Sequence, residues 1–171
     1  IEAVAERIET AISAKERIVI YGDYDVDGIT SVGVLLSYLR ERGADADYYI
    51  PSRSEEGYGL NSRALKKIRF SGVGLVITVD TGITAVDEVE FAKIINLDIV
   101  ITDHHQCKDS LPDCPLINPH VGNYPFKNLA GVGVVFKLIS YMEGNNPKKV
   151  LEKYGDLVAL GTIADVVSLT G

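Results

Sequence analysis

The sequence predicts a single α/β domain whose five-stranded, mostly parallel sheet is flanked by helices on both faces. Short apolar runs alternate along the chain with segments of helical periodicity, and this alternation is typical of parallel strands joined by right-handed crossovers. The strand-like runs are apolar at almost every position, which indicates that the sheet is buried on both faces. With 171 residues, the chain is long enough for one domain with a substantial core.

Five apolar runs predict the strands, and each is bounded by residues that favour turns. The predicted strands are residues 18–21, 47–50, 75–79, 98–102 and 116–117. Pro51 closes the second strand, and the fifth is a short Leu-Ile run between Pro115 and Asn118. Acids or histidines follow the first, third and fourth runs within two residues, so we expect polar side chains at the carboxyl edge of the sheet.

Apolar residues spaced three or four positions apart predict the helices. The predicted helices are residues 2–14, 30–42, 61–69, 84–95, 130–142, 147–153 and 155–169. The helix that begins at Thr30 ends at Gly43, and Asn61 or Ser62 can cap the helix that follows the second strand. Residues 52–60, which precede that cap, form a polar loop with several glycines.

The composition is ordinary for a globular protein, with 46% hydrophobic and 24% charged residues. A net charge of −7 argues against a uniformly basic nucleic-acid-binding surface, although acids that surround divalent cations would still permit a phosphate substrate. Cys107 and Cys114 are too few for a disulfide framework, so a reducing cytoplasmic location is expected. No apolar run reaches the roughly 18 residues of a membrane span. Because the sequence begins with Ile1 rather than Met, we expect a fragment of a longer chain.

Three carboxylates, Asp23, Asp25 and Asp27, alternate in the turn that follows the first strand. Acids this close repel one another unless a cation lies among them. A solvated turn, in which one Asp caps the next helix, explains the same pattern. A calcium loop of the EF-hand type is excluded, because Val34 stands where that loop requires Glu. The turn alone therefore leaves metal binding and a solvated loop open.

The third and fourth strands also end in candidate ligands, namely Asp80 and the run Asp103-His104-His105. If the first and third strands are neighbours, Asp80 lies near Asp25. Adjacent side chains of an extended chain point in opposite directions, so one histidine can bind a metal while the other faces a substrate. A turn-forming Asp and a pair of surface histidines are the alternative interpretations.

Asp165 is a single acid in an apolar helical segment, where burial without a partner would be costly. A metal would offset that cost, whereas a helix edge that faces water would avoid it. A structural zinc site is a further alternative, because two histidines and two cysteines fall close together in the sequence. Its candidate ligands are His104, Cys107, Cys114 and His120. The short Cys-x-x-Cys spacing that is typical of such sites is absent.

Two segments are candidates for binding substrate. Gly131 and Gly133 open a helix whose amides can hold a phosphate, although close helix packing explains them equally well. Arg53 and Tyr58 lie in the loop of residues 52–60 and offer a cation and an aromatic ring for a nucleic-acid backbone and base. Carboxylate oxygens with a single imidazole per metal favour Mn²⁺ or Mg²⁺, and an acid shared between two such ions is typical of phosphoester hydrolysis.

Several of these segments resemble the successive motifs of the DHH phosphoesterase superfamily. The matching motifs are Gly22-Asp23-Tyr24-Asp25-Val26-Asp27-Gly28, Val79-Asp80-Thr81-Gly82, Asp103-His104-His105 and Ala130-Gly131-Val132-Gly133. Residues 51–59 and 161–167 resemble the RecJ branch, whose members are exonucleases specific for single-stranded DNA and act 5′→3′ in DNA repair and recombination. The resemblance covers nearly the whole chain after residue 17.

The resemblance implies a catalytic DHH domain over residues 1–171 that binds two Mn²⁺ or Mg²⁺ ions and hydrolyses single-stranded DNA. It also implies a C-terminal DHHA1 domain, absent from these 171 residues, that completes the DNA channel. The implied metal ligands are Asp23, Asp25, Asp27, Asp80, His104 and Asp165, with Asp80 bridging the ions. His105 and Asp80 are the implied catalytic residues. Other branches have a histidine where Tyr21 stands, so the assignment among the first three acids stays open.

Two other functions remain as alternatives at this point. A phosphodiesterase of short oligonucleotides or cyclic dinucleotides would use the same motifs. A receiver domain that accepts a phosphoryl group would also place acids after the first strand and an Asp after the third. A receiver domain requires a lysine after the fifth strand, however, where this chain has Asn118, Pro119 and His120.

Overall fold

A computed structural model describes residues 1–52, 57 and 59–169, and its core is a five-stranded parallel sheet. The strands are β1 (Ile18–Gly22), β2 (Ala46–Tyr49), β3 (Leu75–Val79), β4 (Asp98–Thr102) and β5 (Leu116–Ile117). The helices are α1 (Glu2–Ser13), α2 (Val26–Glu41), α3 (Ser62–Phe70), α4 (Val86–Ile94), α5 (Gly131–Met142) and α6 (Pro147–Ala164). Within these described ranges, no helix combines the length and the apolar character needed to cross a bilayer.

The strand order is β2-β1-β3-β4-β5, and every neighbouring pair is parallel. The chain runs from β1 outward to β2 and then returns to the other side of β1 to form β3. That reversal creates a crevice at the carboxyl ends of β1 and β3, which is where ligands bind in sheets of this kind. The predicted adjacency of the first and third strands is therefore confirmed.

Two hydrophobic cores cover the two faces of the sheet. Along β1, Ile18 and Ile20 point into a core shared with α1, α2, α5 and α6, whereas Val19 and Tyr21 point into a core shared with α3 and α4. Successive side chains of a strand point to opposite faces, so a continuously apolar strand requires a helical layer on each side. This arrangement confirms the predicted fold class.

Three predicted helix boundaries were wrong, and one of them is the end of the last helix, which lies at Ala164 rather than at residue 169 and leaves Asp165 as the C-cap. The second helix begins at Val26 rather than Thr30, because the Asp25 side chain accepts a 2.8 Å hydrogen bond from the Gly28 amide and caps the helix. Asp27 therefore lies in the first turn of α2. The predicted break before Gly155 does not occur, since α6 runs continuously from Pro147 to Ala164 and packs against α2 and α5. Tertiary packing there outweighs the weak helix propensity of glycine.

Candidate metal centre

The sheet register aligns the ends of the three central strands. Gly22 of β1 pairs with Val79 of β3, which in turn pairs with Thr102 of β4. The residues that come next are Asp23, Asp80 and Asp103, and all three are buried at the carboxyl edge. Parallel pairing therefore brings side chains together that are as much as 80 residues apart in sequence.

Seven residues at this edge form what we call the acid cluster. Its members are Asp23, Asp25, Asp27, Asp80, His104, His105 and Asp165. They fall into three overlapping groups whose ligand atoms lie within 4.8 Å of one another. The groups are Asp80–His104–His105, Asp27–His104–Asp165 and Asp23–Asp25–Asp80. The structure thus brings together all six metal ligands expected from the sequence, with Asp80 and His104 each shared by two groups, although their metal-binding roles remain predictions.

Asp27 links the acid cluster to the start of α5. Its Oδ2 atom accepts a 2.6 Å hydrogen bond from the Gly131 amide, and its Oδ1 atom accepts a 2.8 Å bond from the Val132 amide. A carboxylate is favourable at a helix N-terminus, because it pairs with amides that have no partner inside the helix. This contact competes with the expected phosphate-binding role of Gly131. The roles of Gly131 and Gly133 toward a phosphate remain predictions.

Glycines allow α5 and α6 to approach the carboxylates closely. A Cβ atom on Gly131 would lie 2.7 Å from Oδ1 of Asp80, and one on Gly161 would lie 2.3 Å from Oγ1 of Thr30. Both distances are shorter than real Cβ contacts allow. The structure therefore supports close helix packing, which was one of the two interpretations of the Gly131 motif.

Asp80 adopts a left-handed backbone conformation, with φ of 59°. Non-glycine residues rarely occupy this region, although Asp tolerates it better than most. Its amide donates a 3.0 Å hydrogen bond to the carbonyl of Thr102, and its side chain is buried. Backbone strain of this kind persists where the surrounding structure holds it, and it concentrates at functional sites.

His104 lies between three carboxylates. Its Nε2 atom is 3.0 Å from Oδ1 of Asp80 and 3.9 Å from Oδ2 of Asp27, and its Nδ1 atom is 3.7 Å from Oδ2 of Asp165. Burial alone would lower the pKa of His104, but Asp80, with help from Asp165 and Asp27, raises it to about 9. Burial raises the pKa of Asp80 to about 7, against the opposing effect of His104.

Three buried polar atoms of the acid cluster have no hydrogen bond among the described residues. They are Oδ1 of Asp80, Nε2 of His104 and Oδ2 of Asp165. The 3.0 Å separation of Asp80 and His104 suits an ion pair, but the angles do not suit a hydrogen bond. Buried polar groups are normally satisfied, so three unsatisfied atoms in one cluster of acids and imidazole fit a cation. Carboxylate oxygens with one imidazole suit Mn²⁺ or Mg²⁺.

Asp103 is a functional candidate that is absent from the metal ligands and catalytic residues implied by the resemblance. Its side chain is 1% exposed and accepts hydrogen bonds from the amides of Ile83, His104 and His105 and from Nδ1 of His105. Burial alone would raise the pKa of Asp103, but the hydrogen bond and charge of His105, together with the backbone amides, lower it. An acid directly before two histidines was the only signal in the sequence.

Two predictions from the sequence mainly concern residues outside the acid cluster. Arg53 and Tyr58 fall outside the described residues. The zinc alternative finds no support, because none of the three ligand groups found among the described residues contains a cysteine. Cys114 packs instead against the core on the α3 and α4 face, where burial raises the pKa of its thiol to about 12.

Known proteins resemble this chain closely in sequence. It is 51% identical over 168 residues to the single-stranded-DNA-specific exonuclease RecJ of Bacillus subtilis, covering 96% of this chain and 21% of that protein. It is 38% identical over 184 residues to RecJ of Escherichia coli, covering 99% of this chain and 32% of that protein. The chain thus spans about a fifth to a third of the length of these two relatives.

Solved structures and a family model agree with the sequence relatives. A crystal structure of exonuclease RecJ bound to manganese superposes with a TM-score of 0.90 at 33% identity, over 98% of this chain and 43% of that one. RecJ from Thermus thermophilus in complex with Mn²⁺ gives a TM-score of 0.83 at 30% identity, over 98% of this chain and 24% of that one. The model of the DHH family, N-terminal domain, matches residues 17–162. Because that match covers most of the sequence, the chain belongs to the DHH family.

Proposed function

We propose that this chain is the catalytic domain of a metal-dependent phosphodiesterase that hydrolyses single-stranded DNA from the 5′ end. The observation that carries the proposal is the overlap of three carboxylate–imidazole groups at the carboxyl edge of the sheet. Overlapping ligand groups suit a pair of divalent ions. The named relatives are exonucleases specific for single-stranded DNA, which supports that substrate over dinucleotides and over a signalling role.

Two Mn²⁺ or Mg²⁺ ions would be held by Asp23, Asp25, Asp27, Asp80, His104 and Asp165, with Asp80 shared. When bound, the ions would neutralise negative charge that develops on the phosphate oxygens during hydrolysis. Solved RecJ structures in complex with Mn²⁺ and with Mg²⁺ support either metal. The Asp27 side chain would hold the start of α5 at the same time, since both of its oxygens accept amide hydrogens there.

The residues around the ions would bind and orient the phosphate. His105 lies beside Asp80 and His104 with its side chain 44% exposed, so it can reach a substrate and orient or protonate it through Nε2. Arg53 would bind the DNA backbone, and Tyr58 would stack on a base. Gly133, next to the α5 amides, would approach a phosphate closely.

A further domain would complete the DNA channel. The relatives extend well beyond the region that this chain matches, which supports a longer protein with additional domains. We infer that residues 1–171 form the catalytic DHH domain of such a protein and that a C-terminal DHHA1 domain covers the substrate. The efficiency and polarity of hydrolysis would then depend on that domain, whereas the chemistry would depend on the acid cluster.

The test is hydrolysis of 5′-labelled single strands with Mn²⁺. We expect labelled mononucleotides to appear first, and we expect Asp80→Ala and His104→Ala each to lower the rate at least about a hundredfold. Asp98→Ala is the matched control, because Asp98 lies at the exposed amino end of β4 in an ion pair with Arg7. An unchanged rate in either cluster variant would refute the site. Preferred cleavage of dinucleotides in direct competition would refute the substrate.

A further inference from the structure

Asn118 follows the two-residue strand β5 and contacts the candidate catalytic loop. It is 5% exposed, and its Nδ2 atom donates a 2.9 Å hydrogen bond to the backbone carbonyl of His105. Its Oδ1 atom accepts a 2.8 Å bond from the His120 amide, which fixes the orientation of the Asn118 amide group. Neither the sequence analysis nor the proposed function assigns a role to this residue.

Pairing of β5 with β4 brings Asn118 to this position. Thr102 pairs with Ile117, and the Asp103 amide donates a 3.0 Å hydrogen bond to the carbonyl of Ile117. The residue after each strand, Asp103 on one and Asn118 on the other, therefore lies at the carboxyl edge next to His105. The short fifth strand thus places a neutral donor beside the backbone of His105.

Asp103 holds the same histidine from the other side. Its Oδ1 atom accepts hydrogen bonds from the His105 amide at 3.1 Å and from Nδ1 of the His105 ring at 2.7 Å. An ionised carboxylate only accepts, so Nδ1 carries the hydrogen in this contact. His105 is thus held at its amide, its carbonyl and one ring nitrogen, and Nε2 is the nitrogen through which it can act on a phosphate.

Fixation of this kind matters because the His105 side chain is 44% exposed. An imidazole with that exposure samples several rotamers in solution unless specific contacts select one. Catalysis depends steeply on such placement, since an error of about 1 Å can lower a rate about a hundredfold.

We propose that Asn118 is a positioning residue that, together with Asp103, holds His105 so that Nε2 faces the scissile phosphate. The proposal rests on the proposed phosphodiesterase function. Asn118 fixes the backbone of His105 through the carbonyl, and Asp103 fixes the ring. The Asn118 side chain contacts the backbone of His105 and His120, so we expect its loss to act through His105 and to leave the proposed metal ligands in place.

The test uses Asn118→Asp and Asn118→Ala in the Mn²⁺-loaded protein. Both variants remove the Nδ2 donor, and agreement between them separates the lost hydrogen bond from the charge that Asp adds. We expect kcat on single-stranded DNA to fall about tenfold or more, while KM and the amount of bound Mn²⁺ stay within about twofold. Asn146→Asp is the matched control, because Asn146 also accepts a backbone amide but caps α6 and lies outside the acid cluster.

A spectroscopic measurement separates positioning from general loss of structure. In the diamagnetic Mg²⁺-loaded protein, nitrogen-15 NMR of the wild type should show His105 as a single form with its proton on Nδ1. The Asn118 variants should show a second or broadened His105 signal while the His104 signal is retained, and Asn118→Asp, which keeps an acceptor for the His120 amide, should retain the His120 signal as well. An unchanged kcat, or a single unaltered His105 signal in both variants, would overturn the role of Asn118. If the wild type cleaves no DNA, the proposed function fails instead, and the NMR result still decides whether Asn118 orients His105.

Discussion

Two regions of this molecule differ in how deeply their acidic side chains are buried and in whether a basic side chain pairs with them. In the acid cluster, Asp27 and Asp80 are each 1% exposed. On the helix surface, by contrast, the acids are paired with basic side chains and lie near water. We call these contacts the surface ion pairs, and they are Arg42–Glu9, Lys149–Glu143 and Lys153–Glu41.

The two regions also differ in how the fold shifts the pKa values of their acids. Burial raises the pKa of Asp23, Asp27, Asp80 and Asp165. Hydrogen bonds from Lys153 and Lys149 lower the pKa of Glu41 and Glu143. Glu41 and Glu143 are thus more easily ionised in the fold than in water, whereas ionisation of these four cluster acids is less favourable in the metal-free fold than in water. A fold retains such a cost where a bound cation offsets it, which supports a metal site at the cluster.

The largest expected effect is a difference in stability between variants of two cluster acids, Asp27 and Asp80. Asp27→Ala should abolish Mn²⁺-dependent hydrolysis and lower the free energy of unfolding by about 2–4 kcal/mol, because the buried amides of Gly131 and Val132 lose their acceptor. Asp80→Ala should abolish hydrolysis with a smaller loss of stability, because its buried Oδ1 atom accepts no hydrogen bond among the described residues. Urea denaturation without metal measures the difference. Equal losses of stability would contradict the capping role of Asp27.

A second prediction concerns close packing at the cluster. Gly131→Ala should lower the free energy of unfolding by about 1–3 kcal/mol and weaken Mn²⁺ binding, because the new methyl group would lie against the Asp80 side chain. Gly33→Ala is the control in the middle of α2, where the nearest atom to a Cβ is 3.9 Å away. That change should be neutral or stabilising by up to about 1 kcal/mol. Thermal unfolding and Mn²⁺ titration of both variants provide the comparison.

A third prediction concerns pH. The folded-state pKa of His104 is about 9, above its ordinary 6.5, so its contribution to stability is fully present below pH 6.5 and is lost as the pH rises through 9. The raised pKa of Asp80, about 7, acts in the same direction between pH 4 and 7. Metal-free protein should therefore lose about 1–2 kcal/mol of stability between pH 6 and 9, after allowance for partial solvent screening.

Mn²⁺ should reverse that trend. Binding requires His104 to lose its proton and the carboxylates to ionise, so affinity should increase over the same pH range. At a hundredfold excess over its dissociation constant, the metal should add about 2.7 kcal/mol to the free energy of unfolding. Urea denaturation at several pH values, with Mn²⁺ or with a chelator, measures both effects. A metal-free stability that rises between pH 6 and 9 would contradict the shifted pKa values.

The smallest expected effect lies at the surface ion pairs. Lys153→Ala removes the contact with Glu41, and both side chains are about half exposed. Exposed pairs contribute little, because water screens them and ordering two long side chains is entropically unfavourable. Neither the unfolding midpoint nor Mn²⁺-dependent hydrolysis should change measurably. A shift comparable to that of Asp27→Ala would remove the contrast between the two regions.

Much of the fold could be predicted because a buried strand has a recognisable pattern of residues in the sequence. A strand covered on both faces must be apolar at successive positions, as Leu75–Val79 is, and all five strands were predicted to within one residue at either end. Helix ends were harder, because they depend on side-chain contacts. Asp25 was considered as one of three equivalent acids, and its capping hydrogen bond, which starts α2 at Val26, has no separate sequence signal.

The sequence by itself determined the layered α/β fold and the set of candidate ligands, because both follow from local patterns of apolar and acidic residues. Only the tertiary structure decided what each ligand candidate contacts. In the structure, Asp27 accepts hydrogen bonds from amides of α5, and Asp103 contacts Nδ1 of His105. Asn118, which follows a separate strand, donates a hydrogen bond to the His105 carbonyl. These partners of Asp27 and Asn118 are between 13 and 105 residues away in sequence, and strand register and helix packing set those distances, which no local pattern encodes.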